Sequence, residues 1–285
     1  MRKLNQPQRY LFKFFYISTE KFHGSQRQEN YSTIESCLLD ALIKKNYIKD
    51  AQSSGFEASS RTDRFVSARG AAFSFISLKE PILMEINSIL PKEIGLWAYS
   101  AVGINFSSRF NAIYRHYRYI LPQPIKFIEK NSTLNFELMN KACKELESSH
   151  DFINFAKRDK NVIKTIRNIL SANITLNDDY IIFDFKSKAF LRQQIRRMVK
   201  KILELGKGEI AFSDFLALFD TSKHISYQPA DPSGLLLWDI KFDDEIKFTV
   251  DLKSKEKMKN YFLNQKLNFG HKFQLFKILQ HSDFS

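Results

Sequence analysis

The feature that most constrains the fold is a succession of short apolar runs separated by turn residues and prolines. The run over 10–18, YLFKFFYIS, is aromatic and β-favouring, and it predicts a buried strand. Apolar residues at helical spacing then predict a helix over 33–45, with Ser32 as N-cap and Glu35 completing a capping box. Further strands are predicted over 71–78, 94–104 and 114–122, and a helix begins at Pro81 and is ended by Pro91. This order is typical of an α+β unit.

The second half repeats this outline after Pro122 and Pro124, which interrupt the pattern and predict a domain boundary. Helices are predicted over 136–148, over 189–205 with Gly206 as the C′ residue, and from Ser213 as N-cap to Phe219; strands are predicted over 166–175, 180–186 and 233–242. The sequence thus predicts an N-terminal α+β half over 1–122, a C-terminal half over 123–250, and a basic helical tail over 251–285.

The composition indicates a soluble globular protein with an excess of positive charge. Lys and Arg number 44 against 31 Asp and Glu, a net charge of +13. This charge favours a polyanionic partner, either nucleic acid or an acidic membrane surface. Cys37 and Cys143 cannot form a disulfide framework or a CxxC metal pair, and the six histidines lack metal-ligand spacing. The cysteine usage therefore predicts a cytoplasmic protein, and the histidine spacing predicts no metal site. No apolar run approaches the length of about 18 residues that spans a bilayer, so no membrane span is expected.

The loop over 58–70, ASSRTDRFVSARG, places one carboxylate between two arginines. Guanidinium groups at Arg61 and Arg64 favour the ionised form of Asp63. An ionised carboxylate beside an anion-binding guanidinium suits chemistry on a phosphate-containing substrate. A solvated surface loop with a structural ion pair has the same local composition. Local chemistry alone leaves both interpretations open.

The predicted helix over 189–205 carries a narrow apolar face with two arginines at its border. Arg192 and Arg196 lie one turn apart at that border, whereas Arg197 is expected well away from the core. Border arginines either cover apolar surface with their stems and reach water, or lie half-buried in a cleft and pair with a carboxylate or phosphate. Both interpretations stay open here as well.

The strand YRHYRYIL, over 114–121, is a third candidate. Alternation puts Tyr117 and Tyr119 on one face, where tyrosines usually belong to the core. In a basic protein such a tyrosine can instead stack on an unpaired RNA base. Arg27, Arg109 and Arg115 lie amid small polar residues in neighbouring segments, where each is a weak candidate for binding phosphate.

Eight segments occur in this chain in the order seen in tRNA pseudouridine synthase A, and their residues resemble most those of the archaeal branch of that family. They are FHGSQRQ…STIE, SRTDRFVSA, INSILPKEI, FSSRFNAIYRHYRY, SHDF, TIRNI, AFLRQQIRRMV…LELGKG and PSGLLLWDI. The resemblance covers roughly residues 10–242. The Arg-Thr-Asp loop and the Arg-x-x-Met-Val helix are specific jointly, and neither is sufficient alone.

The resemblance implies the pseudouridine synthase fold, with two similar α/β-sandwich halves, a largely antiparallel central sheet and an active-site cleft between the halves. It implies an isomerase that converts uridine to pseudouridine in the anticodon stem-loop of tRNA, acting as a homodimer without metal or cofactor. The family's catalytic aspartate would be Asp63, supported by Arg61, Tyr117 and Arg196. The arginines that would bind RNA are Arg27, Arg64, Arg109, Arg115 and Arg192.

Two positions depart from the family pattern. Phe65 occupies a position where the family usually has Gly, and Ile17-Ser18 replace a usual Asp-Gly turn. A Gly position often needs a positive φ, which is uncommon for Phe, so the sequence predicts a loop backbone that differs from the family's. The alternative to an enzyme is therefore a tRNA-binding folding chaperone with a disabled loop. The intact set of Asp63, Arg61, Tyr117 and Arg196 favours the enzyme.

Overall fold

The structure, a computed structural model, describes residues 3–130, 133–158 and 164–281. These residues contain ten strands and seven α-helices. The strands are β1 (Lys3–Tyr16), β2 (Glu57–Ala58), β3 (Ser67–Lys79), β4 (Ile94–Val102), β5 (Tyr114–Ile120), β6 (Ser148–Asp151), β7 (Ile166–Asn177), β8 (Tyr180–Ser187), β9 (Leu235–Lys241) and β10 (Thr249–Val250). The helices are α1 (Ile34–Lys44), α2 (Leu83–Asn87), α3 (Ile125–Ile128), α4 (Phe136–Leu146), α5 (Gln194–Gly206), α6 (Phe212–Leu216) and α7 (Leu252–His281).

All ten strands belong to one sheet. Its order is β10-β4-β1-β3-β9-β5-β8-β7-β6, with β2 added to β3. The pairs are antiparallel apart from β3 with β9, so the predicted α+β class with a largely antiparallel sheet is confirmed. β5 precedes the boundary predicted at Pro122, yet it pairs on both edges with strands that follow that boundary. The division into halves at that point stays a prediction.

The core under the N-terminal strands is a stack of phenylalanine rings. Phe12 on β1 lies 5.0 Å, between ring centroids, from both Phe73 and Phe75 on β3, and all three side chains are buried. The register pairs Phe12 with Phe73. Because alternate residues of a strand share a face, a slip by one residue would turn these rings toward the other face of the sheet. The stack therefore fixes β3, and with it the loop that leads into β3.

The cap of α1 differs from the prediction. Thr33 is the N-cap, and it exchanges hydrogen bonds with Ser36, so the capping box predicted for Ser32 and Glu35 is wrong. The Glu35 carboxylate instead accepts a hydrogen bond from the Arg27 amide at 3.4 Å. The Glu35 side chain thus contacts a residue eight positions back along the chain rather than the start of α1.

Two shorter helices also differ from the prediction. α2 begins at Leu83 rather than Pro81 and ends at Asn87, so it is half as long as predicted. The N-terminus of α6 is capped by the Asp214 carboxylate, which accepts the Ala211 N–H, so Ser213 lies inside the helix and does not cap it.

α5 begins at Gln194, five residues later than predicted. Gln193 has φ +60, and this left-handed residue separates the helix from the turn before it. Gly206 is the last helical residue rather than the C′ residue. Arg197, predicted away from the core, is buried with its guanidinium 5.1 Å from the centroid of the Tyr227 ring. The ring of Tyr227, 30 residues further along the chain, covers a position that helix periodicity alone leaves in solvent.

α7 packs on the sheet at its start and projects from it afterwards. Asn87 donates to the Ser254 hydroxyl at 3.0 Å, and the Phe15 ring lies 5.0 Å from that of Phe262. The large apolar side chains beyond this point are exposed: Leu263, Leu267, Phe269, Phe273, Leu275, Phe276, Ile278 and Leu279. None of the helices described is both long and apolar enough to span a bilayer.

Gly234 lies against β5 at the entry to β9, where no side chain fits. A Cβ atom there would lie 2.6 Å from the Ile120 carbonyl oxygen and 2.8 Å from Cζ of Tyr119. We expect Gly234→Ala to lower the free energy of unfolding by about 2 kcal/mol, because a backbone oxygen and a buried ring cannot move aside. Gly103→Ala is the control, since among the described atoms its Cβ meets nothing within 4 Å. Urea unfolding of both variants measures the difference, and equal midpoints would contradict this prediction.

Candidate active site

Hydroxyl groups on both sides of Arg61 tie the loop over residues 59–66 to the sheet. Ser60 Oγ lies 2.8 Å from the Tyr117 hydroxyl on β5, and Thr62 Oγ1 lies 2.7 Å from the Tyr16 hydroxyl on β1. Both tyrosines are buried, and this burial raises the pKa of each, so both hydroxyls stay protonated near neutral pH. The loop is thereby fixed over two central strands.

The backbone of the same loop is clamped by Gly24 and Ser25. The Thr62 N–H donates to Ser25 Oγ at 2.7 Å, and the Ser25 N–H donates to the Thr62 carbonyl at 3.1 Å. Gly24 has φ +89, and a Cβ there would lie 3.1 Å from the Thr62 oxygen, so the close approach requires glycine. In the segment HGSQRQ the sequence predicts only Arg27 as a site residue, and the clamping role of Gly24 and Ser25 is missed. The feature that could have indicated the clamp is this Gly-Ser pair, which lies two residues before Arg27.

An ion pair joins this loop to α5. Arg196 Nη1 lies 3.2 Å from Asp63 Oδ2, and Arg196 Nε donates to the Ala230 carbonyl at 2.7 Å. The Arg196 side chain is 9% exposed and that of Asp63 is 34% exposed. Of the two interpretations of a border arginine, the second therefore applies to Arg196: its guanidinium is buried and pairs with a carboxylate. Oδ1 of Asp63 makes no hydrogen bond within the described residues, so this oxygen is available to react.

Tyr117 lies close to that pair. The Asp63 charge adds to the rise that burial causes in the pKa of Tyr117. Its ring packs edge-on against Phe190, with the centroids 5.4 Å apart. The arrangement therefore offers a carboxylate, a guanidinium and a protonated phenol in one place. Among the residues described, no group of three His, Cys, Asp or Glu side chains is placed to hold a metal ion.

Five of the predicted arginines are exposed, namely Arg27, Arg61, Arg64, Arg109 and Arg192. Within the described ranges Arg61 makes no hydrogen bond or ion pair, so its guanidinium is available to a ligand. Arg64 lies over the Phe65 ring, 4.7 Å from its centroid. Arg192 lies in the turn before α5, so its predicted place on the helix, one turn from Arg196, is wrong.

Arg115, predicted to bind RNA, is instead buried under the loops. Its guanidinium donates to the Ser59 carbonyl at 2.6 Å, to the Arg109 carbonyl at 2.7 Å and to the Lys188 carbonyl. Burial lowers its pKa, although a guanidinium starts from so high a value that it keeps its charge. One side chain thus joins the Asp63 loop to two other loops, and its guanidinium is bound to carbonyl groups rather than exposed.

The two positions that depart from the family pattern contact each other. Phe65 has φ +69, the left-handed conformation that suits Gly, and its N–H donates to Ser18 Oγ at 3.1 Å. The sequence predicted that Phe65 would change the backbone of this loop. That prediction is wrong, because Phe65 adopts the positive φ that a glycine would have. The Ser18 hydroxyl provides a partner for the amide of the strained residue.

Strain at Phe65 predicts an unusual ranking of substitutions. A left-handed conformation costs a residue with a Cβ about 1–2 kcal/mol, and a β-branched residue more. We expect Phe65→Gly to unfold with a free energy within about 1 kcal/mol of the native chain, because relief of strain offsets the lost ring contacts. Phe65→Val should be at least about 1 kcal/mol less stable than Phe65→Gly. Chemical denaturation of the two variants checks the order, and a more stable Val variant would contradict the strain.

Comparison with known proteins bears on this site. A family described as tRNA pseudouridine synthase matches residues 142–243, the part of the chain that contains Arg196. The tRNA pseudouridine synthase A of Methanothermobacter thermautotrophicus is 33% identical over 240 residues, which cover 84% of this chain and 83% of that protein. The protein of the same description from Archaeoglobus fulgidus is 31% identical over 278 residues, 97% of this chain and 99% of that one.

Among solved structures, a chain of a Cbf5-Nop10-Gar1 complex aligns at 11% identity and a TM-score of 0.34, over 68% of this chain and 45% of that chain, too weakly to bear on the fold or the site. These two relatives match 84% and 97% of this chain, which includes most of the stretch over 10–242 in which the sequence motifs indicated the resemblance. Enzymes of this kind catalyse the isomerisation of uridine to pseudouridine. This chain belongs to the tRNA pseudouridine synthase A family.

Proposed function

We propose that this enzyme isomerises uridines in the anticodon stem-loop of tRNA to pseudouridine, with Asp63 as its catalytic carboxylate. The observation that carries the proposal is the ion pair between Asp63 on its clamped loop and the buried Arg196 of α5. The reaction breaks the bond from N1 of uracil to C1′ of the ribose and forms a bond from C5 to C1′. C5 loses a proton and N1 gains one, so the product is an isomer of the substrate.

Asp63 would act on the target nucleotide through its free oxygen. Arg196 holds Oδ2 and so orients the carboxylate when RNA excludes water from the site. The carboxylate can attack C1′ and displace uracil, whose C5 then attacks C1′ and displaces the carboxylate. Alternatively it can take the proton from C2′ as uracil leaves, and return it to C2′ when C5 bonds to C1′. Both routes need the same atom, because Oδ2 is already held by Arg196.

Tyr117 would serve the second half of the reaction. Its ring is buried and packs against Phe190, so the hydroxyl, bound to Ser60 Oγ at 2.8 Å, is the group that would act on the detached base. Burial keeps the phenol protonated, so Tyr117 would accept the C5 proton only while its own proton moves to Ser60 Oγ and the Ser60 proton leaves to water; N1 takes its proton from water. No redox step is needed for this balance of atoms.

The target uridine has to leave the base stack to reach Asp63. Arg61 is exposed two residues away and can fill the gap that a flipped base leaves. Arg27, Arg64 and Arg192 are exposed as well and would bind phosphates without regard to sequence. A homodimer is the remaining part of the proposal and is supported by family membership. A cytoplasmic location agrees with two free cysteines.

The test uses purified protein with unmodified tRNA transcripts. Chemical modification specific for pseudouridine, followed by primer extension, should give stops in the anticodon stem-loop and nowhere else in the transcript. Stops in another arm would contradict the proposed target while leaving the reaction intact. Salt-sensitive binding without any stop would favour the chaperone alternative. Light scattering after gel filtration should give twice the mass of one chain, and a mass of one chain would contradict the dimer.

A further inference from the structure

We propose that the turn over residues 106–111 is an RNA-contact element of the active site, in which Phe110 stacks on an unpaired base next to the target uridine. This inference rests on the proposed function and names the part of the same site that would hold the neighbouring nucleotide.

The turn is rigid because Glu57 on β2 binds three of its groups. The Glu57 carboxylate accepts hydrogen bonds from Ser107 Oγ at 2.9 Å, from Ser108 Oγ at 3.1 Å and from the Arg109 N–H at 3.0 Å. The Phe110 N–H donates to Ser107 Oγ at 3.1 Å. The backbone of the turn is therefore satisfied from within the protein, and its shape does not depend on a ligand.

The same turn adjoins the loop that carries Asp63. Arg115 Nη2 donates both to the Ser59 carbonyl at 2.6 Å and to the Arg109 carbonyl at 2.7 Å. Because a single nitrogen binds both oxygens, the two backbones lie side by side. Glu57 also lies two residues before Ser59, so the anchor of the turn and the start of the Asp63 loop share one short segment.

What the turn presents to solvent is an aromatic ring with a cation over it. The Phe110 side chain is 70% exposed, more than any other phenylalanine among the residues described. The Arg109 guanidinium lies 5.4 Å from the centroid of the ring. A planar ring stacks on any unpaired base, and an adjacent arginine binds the phosphate backbone. The combination fits single-stranded RNA next to a flipped nucleotide, as the net charge of +13 also does.

The chain offers a matched control in Phe127. Its side chain is 54% exposed and also lies below a cation, since Lys130 Nζ is 5.0 Å from the ring centroid. Within the described residues, no hydrogen bond joins Lys126, Phe127 or Ile128 to the Asp63 loop. Both rings are exposed and both lie beside a cation, but of the two only Phe110 belongs to a turn that Arg115 joins to the Asp63 loop.

The experiment compares tRNA binding and single-turnover isomerisation for Phe110→Ala and Phe127→Ala. We expect Phe110→Ala to weaken binding of an unmodified tRNA transcript about tenfold, the effect of losing one base–aromatic stack. Phe127→Ala should stay within twofold of the native enzyme. Phe110→Trp should restore binding and Phe110→Leu should not, because only the former keeps a planar ring. A native-like Phe110→Ala, or rescue by Leu equal to rescue by Trp, would overturn the inference.

The alternative role for the exposed Phe110 ring is a contact between two copies of the chain. If Phe110→Ala changed the mass measured by light scattering, the ring would belong to a subunit interface and the inference would be wrong. Failure of the proposed function has a different result, because the native enzyme would then form no pseudouridine in any transcript. The binding comparison between the two alanine variants still decides the role of Phe110 in that case.

Discussion

Asp63→Asn is expected to abolish tritium release from tRNA that carries tritium at C5 of uridine, with a single-turnover rate at least about 10⁴-fold below that of the native enzyme. Asparagine keeps the shape of the side chain, and its amide oxygen can still accept the hydrogen bond from Arg196 Nη1. It has neither a negative charge nor a basic oxygen. The loss should therefore fall on chemistry, while the loop and its contacts with Tyr16, Tyr117 and Ser25 stay in place.

Two controls separate chemistry from folding in this variant. Asp40→Asn changes an exposed carboxylate on α1 and should leave the rate unchanged. The affinity of Asp63→Asn for tRNA should stay within about threefold of the native value, since the carboxylate contributes no attraction to phosphate. Mass spectrometry excludes deamidation back to aspartate. A rate above one tenth of the native value, in protein shown to be undeamidated, would remove Asp63 from the mechanism.

The sequence predicts well those features that depend on neighbours along the chain. Alternation and aromatic content identify the central strands, and helix periodicity singles out Arg196 as a border residue before any partner is known. The capping of α1 is predicted wrongly because Ser32 and Thr33 are both good N-cap residues and the sequence alone does not rank them.

Contacts across the sheet leave no local pattern to find. β9 lies between β3 and β5, an order in the sheet that no periodicity indicates. Arg115 looks like an RNA-binding residue because it follows small polar residues, yet its partners are the carbonyls of Ser59 and Lys188, 56 and 73 positions away. Carbonyl partners belong to every residue type and carry no sequence signature. A buried arginine of this kind is visible only in three dimensions.

Arg115→Met is the second substitution with a large expected effect, and it tests whether this residue positions the active site. Methionine fills similar volume but donates nothing, so three carbonyls in buried or half-buried positions lose a charged partner. We expect the free energy of unfolding to fall by about 3 kcal/mol. The single-turnover rate should fall about 100-fold, because the Asp63 loop and the Phe110 turn lose the group that sets their spacing.

Arg118→Met provides the comparison on the same strand. Arg118 lies three residues further along β5, binds Asp184 at 2.8 Å and lies over Trp238, 3.9 Å from its ring, with a side chain 32% exposed. We expect it to cost about 1 kcal/mol of stability and to leave the rate unchanged, since none of these contacts involves the Asp63 loop. Hydrogen exchange should be faster at residues 59–66 in Arg115→Met alone. If instead Arg115→Met weakened tRNA binding and lowered its salt dependence while the bound complex reacted at the native rate, Arg115 would contact phosphate directly, and the positioning role would be wrong.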